Sequence, residues 1–137
     1  MLNDRRFHVL VLGTLMILIV STLRAQQPAK GPFPKVLELD PQGQGYQRLL
    51  GGPPETSTMR SGLVILAPGK SVGKHNTDNY EEMVIILQGQ AEMRVADGET
   101  LRLAAGYAAY CPSHMEHDVL NTGTGPLRYV YVVSEVK

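Results

Sequence analysis

The stretch YEEMVIILQGQAEMRVADGETLRLAAGYAAYCPSHMEHDVLN, residues 80–121, decides how this chain folds. None of it shows a convincing helical period. Short segments rich in Val, Ile, Leu and Tyr are cut instead by Gln88-Gly89-Gln90, Asp97-Gly98 and Gly106, which are turn signals. Ala91, Met93 and Val95 alternate with Glu92 and Arg94, and Leu101 and Leu103 flank Arg102. A period of two describes strands with one buried and one wet face. Residues 83–87 (MVIIL) are apolar on both faces, as are 129–133 (YVYVV). The outer faces of such strands need cover from a second sheet or a second subunit, and a homodimer is the expectation taken from them.

Working outward, the same pattern predicts strands near 35–39, 46–50, 61–67, 83–88, 90–95, 100–104, 107–111, 115–121 and 127–134, with a turn over Asn121–Pro126. Many short strands separated by Gly, Pro, Asn and Asp favour an all-β sandwich or barrel. There is no internal repeat, and 137 residues suit one domain. Residues 26–34 (QQPAKGPFP) hold three prolines and a glycine and read as an extended linker ahead of a barrel domain over 35–137.

The first 25 residues differ from the rest. Arg5 and Arg6 precede an apolar run, Val9–Val20, followed by Ser21, Thr22, Leu23, Arg24 and Ala25. This is the layout of a secretory signal peptide, and the run is short for a span of about 20 apolar residues. Cleavage after Ala25 is predicted, although Leu23 is large for its position, so an uncleaved membrane anchor is the alternative. The expected location is periplasmic or secreted. Thirteen basic and thirteen acidic residues balance. That leaves no electrostatic footprint for nucleic acid, and none is expected as a partner. The single cysteine, Cys111, excludes an internal disulfide.

Three of the four histidines, His75, His114 and His117, lie close in sequence, with Glu81 and Glu82 after the first. On the strand at 115–121, His117 shares a face with Val119 and Asn121; on the strand at 83–88, Glu82 shares one with Val84 and Ile86. If those faces point inward, an imidazole and a carboxylate enter an apolar cavity. A buried carboxylate is costly unless paired or bound to a cation, and a divalent metal would resolve that cost.

The residues between Gly69 and Asn121 resemble the two motifs of the cupin superfamily. The first, G-x5-H-x-H-x3–4-E-x6-G, finds Gly69, His75, Thr77, Glu82 and Gly89; the second, G-x5-P-x-G-x2-H-x3-N, finds Gly106, Pro112, His114, His117 and Asn121. Every spacing fits. The resemblance implies a single cupin-type β-barrel, a double-stranded β-helix or jelly roll, with one metal inside. It assigns His75, Glu82 and His117 as ligands and makes Gly69, Gly89, Gly106, Pro112 and Asn121 structural. Glu82 is preferred to Glu81 because only it also satisfies the gap to Gly89. Two departures stand out: Thr77 replaces the second histidine, and His114 replaces a glycine.

Two histidines and a carboxylate form a ligand set used by non-haem Fe(II) oxygenases, and are equally compatible with Zn, Mn, Ni or Cu. His114 is read chiefly as a loop residue at the barrel rim, with a fourth-ligand role as the sharper alternative. Glu81 is expected to face solvent, Thr77 to serve as a turn or pocket hydroxyl, and Cys111 to pack as a small buried hydrophobe, with a thiolate near the metal as the sharper alternative. Tyr107, Tyr110, Tyr129 and Tyr131 are expected in the core or an interface, one of them lining the pocket. The expected ligand is a small molecule. Metal-dependent oxidation or isomerisation, by a dioxygenase or isomerase, is one reading of function; a non-catalytic small-molecule or metal-binding barrel is the other. No catalytic residue beyond the metal ligands is assigned.

Overall fold

The computed structural model describes residues 31–96 and 98–137, and the expectations for residues 1–25 and for most of the linker lie outside them. Nine strands follow one another without a helix among the described residues: β1 Gly45–Gly51, β2 Arg60–Leu66, β3 His75–Asn76, β4 Tyr80–Gln88, β5 Gln90–Val95, β6 Thr100–Ala104, β7 Ala108–Cys111, β8 Glu116–Asn121 and β9 Leu127–Glu135. They form a five-stranded sheet in the order β1-β2-β9-β4-β7 and a four-stranded sheet in the order β3-β8-β5-β6. All pairings are antiparallel, and the two sheets pack as a jelly roll.

The alternation read in the sequence sorts side chains to the two faces. Val84 and Ile86 of β4 meet Ala91 and Met93 of β5, Val119 of β8, and Leu127 and Tyr129 of β9 in one core. Each Val, Ile, Leu or Met among them contributes roughly 1.5–3 kcal/mol by leaving water. Gly89 alone carries the chain from the first sheet to the second. Its φ is +89°, and a Cβ there would lie 2.8 Å from the Pro126 carbonyl oxygen. Only glycine fits that crossing. Asn121, buried at the end of β8, closes the other side. Its Nδ2 donates to the Leu66 and Gly125 carbonyls, and its Oδ1 accepts from the Gly123 amide, each at 2.9 Å.

No strand forms over 35–39, which corrects the sequence reading. Pro34 and Pro41 bracket this arm, which pairs with no strand and is tied by side chains of the five-stranded sheet instead. The Gln47 side chain takes its backbone groups, donating to Glu38 O and accepting from Asp40 N, both at 2.9 Å. Arg128 donates to the Asp40 and Pro41 carbonyls. Lys35 pairs with Glu55, whose carboxyl is held below the usual range first by that hydrogen bond and then by the Gly51 amide. Leu63, paired with Gln47 on one side and Val130 on the other, is fully buried. Across β4 and β7 the outer face of the sheet stays open at Met83, Leu87 and Tyr110. The two-residue strand β3 was not legible in the sequence, and it places a histidine.

Candidate metal centre

β3 exists because it pairs with β8, setting His75 directly opposite His117. Their rings lie 4.3 Å apart, centroid to centroid. Glu82 comes from the facing sheet, at an inward position of β4 shared with Val84 and Ile86. His117 Nε2 is 3.2 Å and His75 Nε2 4.0 Å from Glu82 Oε2. One ligand atom from each of the three lies within 4.8 Å of the others. Two strands of one sheet and one strand of the other therefore converge on a single point.

The histidines present the right nitrogens. His75 Nδ1 sits 2.9 Å from the Gly73 carbonyl and donates its hydrogen there, which leaves Nε2 with a lone pair toward Glu82. His117 turns Nδ1 toward Cys111 Sγ at 3.5 Å. Its Nε2 is buried without a hydrogen-bond partner, although the Glu82 oxygen is close. Burial pulls the pKa of His117 down; the Glu82 carboxylate, the Met115 carbonyl and Asp118 outweigh it and hold the pKa above the ordinary value. A buried imidazole nitrogen facing a carboxylate that is 8% exposed, without good hydrogen-bond geometry between them, is a costly arrangement unless a cation or a proton is shared there. A divalent cation bound by all three residues would satisfy both groups, so the donor set fits such an ion.

A cavity of about 430 Å³ opens beside this cluster. Its walls include Val64, Val72, Val119, Tyr129 and Tyr131, with His75, Glu82 and Arg60 contributing polar groups. A depression of about 570 Å³ between the arm and β1 is larger, but its lining holds no cluster of metal-ligating groups. Burial first pushes the hydroxyls of Tyr129 and Tyr131 up in pKa; the charge of Glu82 adds to this at Tyr129, and the hydrogen bond to Tyr46 adds to it at Tyr131.

The remaining residues singled out in the sequence fall as follows. His114 is exposed, lies outside the cluster, and adopts φ 58°. That left-handed conformation explains a glycine in the motif, because a side chain there is strained. Thr77 is buried; its hydroxyl donates to the Pro112 carbonyl at 2.8 Å and accepts from the Met115 amide at 2.9 Å. It laces the β3–β4 turn to the β7–β8 turn where the motif has a histidine. Glu81 faces out and accepts from Tyr110 Oη at 3.2 Å. Cys111 is buried behind His117, and burial, then the Glu82 charge, push its thiol up to about 11. Tyr107 is exposed like Tyr110, whereas Tyr129 belongs to the core and to the cavity wall. Arg60 was missed; its signal was the inward row Arg60, Gly62, Val64, Leu66 at the head of β2.

Residues 62–133 match the family model described as a cupin domain. The chain is 32% identical over 73 residues to the tetracenomycin polyketide synthase protein TcmJ of Streptomyces glaucescens, a match covering 53% of this chain and 48% of that protein. The chain thus spans about half the length of that relative. Among solved structures, a Cupin 2 conserved barrel domain protein from Salinispora arenicola superposes with a TM-score of 0.63 and 24% identity, over 76% of this chain and 91% of that one. An RmlC-like cupin family protein of Methanocaldococcus jannaschii with a double-stranded β-helix fold gives 0.63 and 20%, over 77% and 94%. At these identities the two structures speak for the fold alone.

Proposed function

The chain belongs to the cupin superfamily, and from that premise we propose that it is an exported barrel that holds one divalent metal ion between His75, Glu82 and His117 and acts on a small molecule in the adjoining cavity. The observation that carries this reading is the convergence of two imidazole nitrogens and one carboxylate oxygen within 4.8 Å, with His117 and Glu82 both buried. When bound, the ion would supply Lewis acidity or, if iron, activation of oxygen. The donor set suits Fe, Mn, Zn, Ni or Cu.

The chain's own residues then have definite tasks. Gly73 holds the tautomer of His75 through Nδ1. Glu82 brings the negative charge that offsets part of the cation's. Val64, Val119 and Tyr129 make the inner wall apolar, which lowers the local dielectric and strengthens electrostatic interactions at the centre. A relative named for a polyketide synthase supports an organic small molecule as the substrate.

A second reading is a non-catalytic binding barrel. Of the titratable groups weighed from the sequence, Glu81, His114 and Cys111 do not line the cavity, and its Tyr129 and Tyr131 are raised in pKa, which leaves Asp78 as the one carboxylate there besides Glu82. Export through the segment 1–25, with a membrane anchor if that segment stays uncleaved, completes the proposal. So does a homodimer formed over the open face at Met83, Leu87 and Tyr110.

Elemental analysis of the purified protein beside a His75→Ala, His117→Ala double variant tests the centre. Near-stoichiometric metal in the parent, lost in the variant, is the expected result. No metal in either, even after reconstitution with Fe, Mn, Zn, Ni and Cu salts, would overturn it.

A further inference from the structure

Resting on that reading of the cavity as the reaction site, we propose that the small molecule bound there carries a carboxylate, and that Arg60 is the residue that selects it.

Arg60 opens β2 on the inward face. In register it faces Val133, which in turn faces Glu82 on β4. Arg60 and Glu82 therefore occupy one row across the sheet with a single strand between them, about 10 Å from Cα to Cα at ordinary strand spacing. Val133 forms the floor between them, and Arg60, Val133 and Glu82 all line the same cavity. A ligand reaching from the centre along this row meets a cation at the far end.

Two contacts aim the guanidinium. Its Cζ sits 5.2 Å from the centre of the Tyr80 ring, a cation–π contact. Its stem lies along Gly52, where a Cβ would come within 2.9 Å of Arg60 Nε and 3.2 Å of Cγ. Gly52 has φ +85°, so this position both needs glycine and gives the arginine its channel. Among the described residues Arg60 forms no ion pair, unlike Lys35, Lys74 and Arg94. A positioned, uncommitted guanidinium at a cavity mouth offers its fork to a carboxylate in two parallel hydrogen bonds. Glu82 and Asp78 also border the cavity and would repel a dianion, so one guanidinium suits a monoanion better than a phosphate ester.

The test uses benzoate and its uncharged isostere benzamide, titrated by calorimetry into chelator-treated protein so that coordination to a metal cannot contribute. The parent should bind benzoate at least tenfold more tightly than benzamide. Arg60→Gln should erase that preference, Arg60→Lys should retain part of it, and Arg102→Gln, which removes an exposed charge outside the cavity lining, should leave it intact. Thermal melts of each variant check folding. Equal binding of the two probes, a preference that survives Arg60→Gln, or no binding of either would overturn the assignment. Inorganic phosphate displacing benzoate at lower concentration would overturn the choice of a carboxylate. A surviving benzoate preference alongside a failed metal analysis would sink the centre and spare the anion site; the converse would sink only the anion site.

Discussion

Glu82→Gln separates a metal centre from a mere cluster of polar side chains. Gln matches Glu in size, so the packing of β4 against Val133 and Cys111 is preserved. What disappears is the only anionic donor of the three, 3.2 Å from one imidazole and 4.0 Å from the other. Loss of an outer partner of a metal ligand already costs 10–100-fold in affinity, so removal of the anionic ligand itself is set at about 100-fold. At a metal concentration of 100 times the parent Kd, binding stabilises the parent by about 2.7 kcal/mol; the same concentration equals the variant's Kd and stabilises it by only about 0.4 kcal/mol. At roughly 4 °C per kcal/mol for a domain near 100 residues, the parent's Tm should rise about 11 °C and the variant's about 2 °C. Scanning calorimetry with and without added metal, after chelation, reads this directly. A metal-dependent rise of equal size in both proteins would refute the reasoning, as would none in the parent.

Asn121→Ala removes three part-buried hydrogen bonds at once and leaves the Leu66 and Gly125 carbonyls and the Gly123 amide without their side-chain partner. With about 1–3 kcal/mol for each buried group left unpaired, and water reaching some of them, a loss of about 3 kcal/mol is expected in denaturant titration. Cys111, 1% exposed with its thiol pushed up to about 11 by burial and then by Glu82, should resist a thiol reagent at pH 8 in the native chain and react at once in denaturant; rapid native-state labelling would count against the placement. Glu55 has its pKa lowered by Lys35, so its contribution is present above the unfolded value and is lost as pH falls through the folded one. Melts between pH 5 and pH 3 should therefore show the parent losing an increment of stability that Glu55→Gln never had, and parallel curves for the two proteins would refute it.

The local signals in this chain are strong where the physics is local. Alternation at 90–95 and 100–104 determines which face each side chain takes, because successive Cβ atoms on a strand must point opposite ways. Gly89 and Asn121 were legible for a related reason: a left-handed crossing and a three-bonded buried amide each admit few residue types. The resemblance to the cupin motifs nominated His75, Glu82 and His117 together.

Other features depend on residues far apart in the chain. Segment 35–39 has the composition of a strand, yet it pairs with none, and Gln47 and Arg128 tie the backbone of the arm instead. β3 is two residues long and has no propensity of its own; pairing with β8 creates it and thereby aims His75 at Glu82. Thr77 and His114 took their roles from turn geometry, one as a lace between two turns and the other in a left-handed position. Arg60 became part of the cavity only when β9 came to lie between β2 and β4. Most of the strands and their inward rows could be read from periods along the chain, and the resemblance to the cupin motifs implied the three metal-ligand candidates. Tertiary structure alone decided which rows face each other across the cavity, because strand order is set by pairings between distant segments.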